Sequence, residues 1–229
     1  MSRRFLFLLL TLLLAGVGAN AQDDVEYRME VGGGIGMMGY LGDFNGSLTK
    51  NLQPMASLVL RNNLNPYMGF KAAASYGKLK GSSTAEKTYY PGFVGQEHNF
   101  DNILVDLNFT YEYNFWPYGT GRDYRGAKRL TPFVMLGLGG TFVKTDEKNV
   151  VTANIPIGLG LKYKVGARMN VGLEWAMHFT LSDELDGVKD PYWVESSGAF
   201  KNTECYHTLQ LTLTYSFMAK CRTCHNEDE

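Results

Sequence analysis

The sequence predicts an all-β protein, an eight-stranded antiparallel transmembrane β-barrel of the bacterial outer membrane. Three observations carry this. Tyr206 to Phe217 alternates strictly, with Leu209, Leu211, Leu213, Tyr215 and Phe217 on one face and Thr208, Gln210, Thr212, Thr214 and Ser216 on the other. Successive strand side chains point to opposite faces, and long aliphatics ending in aromatics are the order of a face that crosses lipid and stops at the interface. Beyond the first 21 residues no apolar run approaches the roughly 18 residues of a membrane helix. The mean hydropathy of −0.20, with 13% aromatics and 26 glycines, fits a chain whose hydrophobicity is hidden in alternation.

Residues 1–21 read as a cleaved signal peptide. Arg3 and Arg4 form the positive start, Phe5 to Gly18 the apolar centre, and Ala19-Asn20-Ala21 the small residues of a cleavage site. Cleavage leaves about 208 residues, and the formal charge moves from −1 to about −3 because two arginines leave. That balance argues against nucleic acid as a partner. The expected organisation is a barrel over 22–217 and a tail over 218–229.

Eight alternating segments follow in order. The first, Glu26 to about Tyr40, places Tyr27, Met29, Val31, Ile35 and Met37 on the apolar face. A loop from Gly42 to Gln53 leads to a short second strand, Met55 to Arg61, and Asn62 to Pro66 turns it into a third with Met68, Phe70, Ala72, Ala74 and Tyr76 together. Lys78 to Phe100 reads as a long loop. The fourth strand sets Ile103, Val105, Leu107, Phe109, Tyr111, Tyr113 and Phe115 against Asp106, Asn108, Thr110, Glu112 and Asn114. After Trp116 to Arg129, the fifth turns Val134, Leu136, Leu138 and Phe142 outward. Lys144 to Val151 connects it to a sixth, with Ile155, Ile157, Leu159, Leu161 and Tyr163 outward. There Pro156, lacking a ladder donor, suggests a bulge or frayed end. A tight turn at Lys164 to Arg168 precedes the seventh, with Val171, Leu173, Trp175, Met177 and Phe179, and Thr180 to Cys205 is a long loop before the last. Long and short connections nearly alternate, the rule for single-chain barrels with both termini in the periplasm.

Eight strands enclose only enough space for their own side chains. The inward set holds Arg28, Glu30, Arg61, Lys71, Asp106, Glu112, Lys162, Lys164, Glu174 and His178. Unpaired buried charge is costly, so these should form an ion network and plug the lumen. A catalytic reading of Glu174 and His178 fails on distance, about 13 Å along the strand. No Gly-x-Ser-x-Gly, His-Glu-x-x-His or phosphate-cradling loop occurs. Asp183, Glu184, Asp186 and Asp190 cluster without EF-hand spacing, a solvated acidic loop by expectation. We expect no metal, no cofactor and no enzymatic activity.

The tail carries Cys221-Arg-Thr-Cys224. Cys205, at the opposite end of the last strand, is about 30 Å away and beyond disulfide reach. A redox pair lacks its βαβ setting, and a zinc site has only His225 nearby. A local disulfide or a disulfide to a periplasmic partner remains.

Gly32-Gly-Gly-Ile-Gly-Met-Met-Gly-Tyr-Leu-Gly-Asp-Phe-Asn45, the Asp183-Glu-Leu-Asp-Gly-Val loop, Asn202-Thr-Glu-Cys-Tyr, the final Leu-Thr-Leu-Thr-Tyr-Ser-Phe and the terminal cysteines together resemble the PorG-like outer-membrane barrels. The likeness spans the mature chain, and the family pattern has an aromatic where Cys205 stands. The resemblance implies a component of type IX secretion and gliding machinery that holds a periplasmic ring or lipoprotein partner against the outer membrane. On that expectation Arg122, Arg125, Lys128 and Arg129 join Cys221 and Cys224 as a periplasmic docking face, where ordinary interfacial anchoring is the plain alternative for the basic residues. Two other classes stand beside it. A stand-alone barrel would bind ligands through Tyr89, Tyr90, Phe93, Tyr192 and Trp193, and a lipid-modifying enzyme would rely on His98 near Glu97 and Asp101.

Overall fold

The computed structural model describes residues 25, 27–41, 48–82, 99–119, 127–145, 149–181 and 205–219. The signal segment, His98, the acidic loop, the aromatic loop residues, Arg122, Arg125 and both tail cysteines lie outside them. Alternation drives eight strands: β1 (Tyr27–Leu41), β2 (Gln53–Asn65), β3 (Met68–Ser82), β4 (Asn99–Asn114), β5 (Leu130–Lys144), β6 (Asn149–Lys164), β7 (Met169–Thr180) and β8 (Cys205–Ala219). Each pairs antiparallel with its neighbour in sequence, and β1 pairs with β8 to close an eight-stranded barrel without an edge. Among the described residues no helix is long and apolar enough to cross a membrane.

We call the end bearing Tyr27 and Ala219 the terminal end and the other the loop end. The strand ends that bound 42–52, 83–98, 145–148 and 181–204 lie at the loop end; those that bound 66–67, 115–129 and 165–168 lie at the terminal end. Strands of 12 to 16 residues exceed the roughly 9–11 needed to cross a bilayer, so the barrel projects beyond it. Outward positions carry the apolar face, with Leu58 72% and Leu138 70% exposed. Such area open to water over the whole wall would be untenable for a soluble chain, and lipid is what covers it. Aromatics gather at its terminal-end margin, where Phe70 stacks on Phe109 at 5.3 Å and packs against Tyr111 at 5.7 Å.

Several boundaries differ from the sequence expectation. β2 is not short: it runs on through Asn62–Asn65, leaving Pro66 and Tyr67 as the turn. β3 continues to Ser82 and β4 starts at Asn99, so both ends of the expected Lys78 to Phe100 loop are strand, while β6 begins at Asn149 inside the expected Lys144 to Val151 connection. The cause is the inward face. Near the loop end Met38, Tyr40, Met55, Leu79, Phe100, Leu104, Val143, Val150 and Tyr206 point inward and form a buried apolar cluster. Both faces are then greasy or mixed, and alternation fades although the ladder continues.

Pro156 causes neither a bulge nor a frayed end. The β5–β6 register is the same on both sides of it, Leu136↔Ile157 and Gly139↔Asn154, with the two intervening pairs missing. Towards β7 the residue still pairs, with His178. Inward glycines set the closeness of the wall: a Cβ on Gly32 or Gly36 would run into the β8 carbonyl oxygens of Leu213 or Leu209.

Candidate functional site

The lumen is filled in layers. In the terminal-end half three carboxylates and three cations interlock. Glu30 stands opposite Arg61 in the β1–β2 register, and the Arg61 Nη1 donates to Glu30 Oε2 at 2.6 Å. Arg61 Nε donates to Glu112 Oε2 at 2.7 Å, and its Nη2 lies 3.7 Å from Glu174 Oε2. Lys71 pairs with Glu174 and lies 3.5 Å from Glu112 Oε1. Lys162 Nζ donates to Glu112 Oε2 at 2.5 Å and packs over the Phe133 ring at 4.4 Å. All six side chains are buried.

Neutral donors add to the layer, although Glu174 Oε2 accepts no hydrogen bond. Asn63 and Thr214 donate to Glu30 at 2.9 and 3.1 Å. Gln210 donates to Glu174 at 3.1 Å and accepts from Ser57 at 2.6 Å. With every carboxylate both ion-paired and hydrogen-bonded, the desolvation cost of burying these charges is offset within the layer.

The remaining four expected lumen charges separate. Asp106 accepts from Asn108, from Asn154 at 2.8 Å and from Thr141 at 3.3 Å. His178 Nδ1 lies 3.6 Å from Asp106, and its ring stacks on Tyr206 with centroids 4.4 Å apart. Glu174 and His178 thus serve different layers, Glu174 in the ionic one and His178 in this one. Lys164 lies at the terminal end over the rings of Tyr27 and Tyr118, at 5.1 and 5.9 Å. Arg28 does not enter the lumen network. It has inward parity, but one residue from the start of β1 the wall no longer encloses it and it is exposed.

Tyr118 closes the terminal-end mouth. Its backbone N–H donates to Pro66 O at 3.0 Å, and the hydroxyl of this half-buried side chain donates to Asn170 Oδ1 at 3.0 Å on β7. Burial, aided by the nearby Glu30 carboxylate, raises the phenol well above its ordinary range and keeps it a donor. Beneath lies a cavity of about 20 Å³ bounded by Glu30, Asn63, Asn114 and Lys164. The foot of the 115–129 connection is therefore folded over the opening. Lys128 sits 4.6 Å above the Trp116 ring and Arg129 is exposed. Among the described residues no group of His, Cys, Asp or Glu is placed to hold a metal ion.

Tyr206, Asn154, Thr141 and Gln210 were not singled out by sequence, although all lie at inward parity; the signal was position, which a search restricted to charge passes over.

The family model described as a domain of unknown function, DUF6089, matches residues 3–226. The chain belongs to this family. No curated protein matches it in sequence. Among solved structures it is similar to Neisserial surface protein A, at 12% identity and a TM-score of 0.52, with 82% of this chain and 97% of that one covered. Ail, the attachment invasion locus protein of Yersinia pestis, aligns at 12% identity and a TM-score of 0.46 over 84% and 100% of the chains. OprG from Pseudomonas aeruginosa aligns at 12% and 0.47 over 87% and 100%. The likeness to the Neisserial protein shows the fold, that of a small outer-membrane barrel.

Proposed function

We propose that this barrel is a non-enzymatic anchor, a component of a type IX secretion or gliding apparatus that holds a periplasmic ring or lipoprotein partner to the outer membrane. The observation that supports it is the closed lumen: an ionic layer, an Asp106–His178 layer and an apolar cluster occupy the axis in succession, and Tyr118 covers the mouth. A barrel without a path through it acts by its surfaces. Single-chain barrels keep short turns and both termini on the periplasmic side, so the terminal end faces the periplasm in this reading. There the 115–129 connection is longer than its two companions and carries Arg122, Arg125, Lys128 and Arg129, and the tail with Cys221 and Cys224 leaves from the same end. These are the surfaces assigned to the partner.

The test is non-reducing purification of the native outer-membrane protein, with mass spectrometry of co-migrating chains, repeated on Cys221→Ser and Cys224→Ser. The reading expects a specific periplasmic protein that is released in the serine forms. A clean monomer after mild extraction, with secretion intact on deletion, would overturn it.

A further inference from the structure

The outward wall is dented over β2–β4. Ala72 and Ala74 face the membrane between Leu58 and Leu60 on β2 and Leu107 and Phe109 on β4, and the register aligns them as Leu60–Ala72–Phe109 and Leu58–Ala74–Leu107. Two short side chains between longer ones leave an apolar groove of about 560 Å³. Moving along the same face towards the loop end, the next row is Ala56–Tyr76–Val105–Phe142, and above it stand Lys78, Ile103 and Lys144 in one row. Lys80 follows, one step higher, beside Asp101.

Asp101 contacts both β3 lysines, at 3.5 Å for Lys78 and 3.2 Å for Lys80. Among the described residues three cations stand against one carboxylate in this patch, which leaves it positive. Lys78 and Lys144 lie two strand spacings apart, about 10 Å. Ala74 is four residues from Lys78, about 13 Å along the strand, close to the depth of half the roughly 30 Å hydrocarbon layer. Long amphipathic side chains at a membrane margin place their charge at headgroup level.

We propose that this face binds one phosphate-bearing lipid of the loop-end leaflet, its acyl chain in the groove over Ala72 and Ala74 and its phosphate between Lys78, Lys80 and Lys144. Charge complementarity selects this occupant over a second copy of the chain, which would bring like-charged lysines together. With the loop end outward, as in the orientation used above, the lipid is an acylated, phosphorylated glycolipid of the outer leaflet. The site involves neither the tail nor the 115–129 connection, so it stands or falls apart from the anchoring role.

The experiment is native mass spectrometry of the full barrel, released from detergent with added lipid A, with the same lipid stripped of phosphate, or with inorganic phosphate alone. The expected result is a one-lipid adduct that drops about tenfold or more without the lipid phosphates and in Lys78→Gln/Lys144→Gln, and that Ala74→Phe removes independently. All these changes lie on the exposed outer face, so folded barrel is expected in each variant and is verified by heat-modifiable gel mobility. An adduct indifferent to the lipid phosphates, or retained in either variant, would overturn the site, as would phosphate alone competing fully. A dimer dissolved by Ala74→Phe would place a second copy in the groove and overturn it as well.

Discussion

Glu112 touches each of the three cations of the ionic layer. Neutralising it leaves Arg61, Lys71 and Lys162 to share Glu30 and Glu174, and a buried pair broken from one side typically costs about 3–5 kcal/mol. Glu112→Gln is therefore expected to lower the urea midpoint of refolded barrel strongly, followed by tryptophan fluorescence. Arg28→Gln, at an exposed position, is expected to stay within about 0.5 kcal/mol of wild type. Equal effects would mean that the layer is not a coupled unit. Membership of the lumen was legible here because parity alone sorts Arg61, Lys71, Glu112 and Lys162 inward. Partnership was not. Arg61 and Lys71 are direct cross-strand neighbours of like charge; Glu30 meets Arg61 in register, but Glu112 reaches Arg61, and Glu174 reaches Lys71, across the lumen from strands that register does not connect. Arg28 shows the other failure: parity says which way a side chain points but not whether wall remains around it.

At the scale of elements, alternation located all eight strands and the tight turn after β6, because a lipid-facing side demands apolar residues at every second position. It missed the loop-end extensions of β3, β4 and β6, where the inward residues Leu79, Phe100, Leu104 and Val150 are themselves apolar and erase the contrast. Pro156 misled differently. A missing ladder donor suggests a bulge or a frayed end, whereas the register runs on past two absent pairs. The β1–β8 seam offers a direct test of how the wall is closed. Gly36→Val would drive its side chain into the Leu209 carbonyl, and the expected outcome is loss of the heat-modifiable folded band. Gly140→Ala, with no atom within 4 Å of the added Cβ, is expected to leave that band and the urea midpoint within about 0.5 kcal/mol of wild type. Normal folding of Gly36→Val would show that the seam is looser than drawn.

For the molecule as a whole, closure was legible from strand count and from charge of both signs at inward positions. The apolar cluster at the loop end and the Tyr118 cover were not, since Tyr118 belongs to a connection whose path no periodicity describes. On the proposals above, a barrel filled in this way works by its outer surfaces: an apolar groove under lysines on the wall and a basic connection with the tail at the terminal end. The measurement that tests this most directly is ion conductance of the purified full-length protein in a planar lipid bilayer. Sealed layers predict no steady ohmic current above the bare bilayer, at any holding potential that the bilayer survives. A stable, voltage-independent conductance from wild-type protein would contradict the closed lumen and, with it, the inference that this barrel works from the outside.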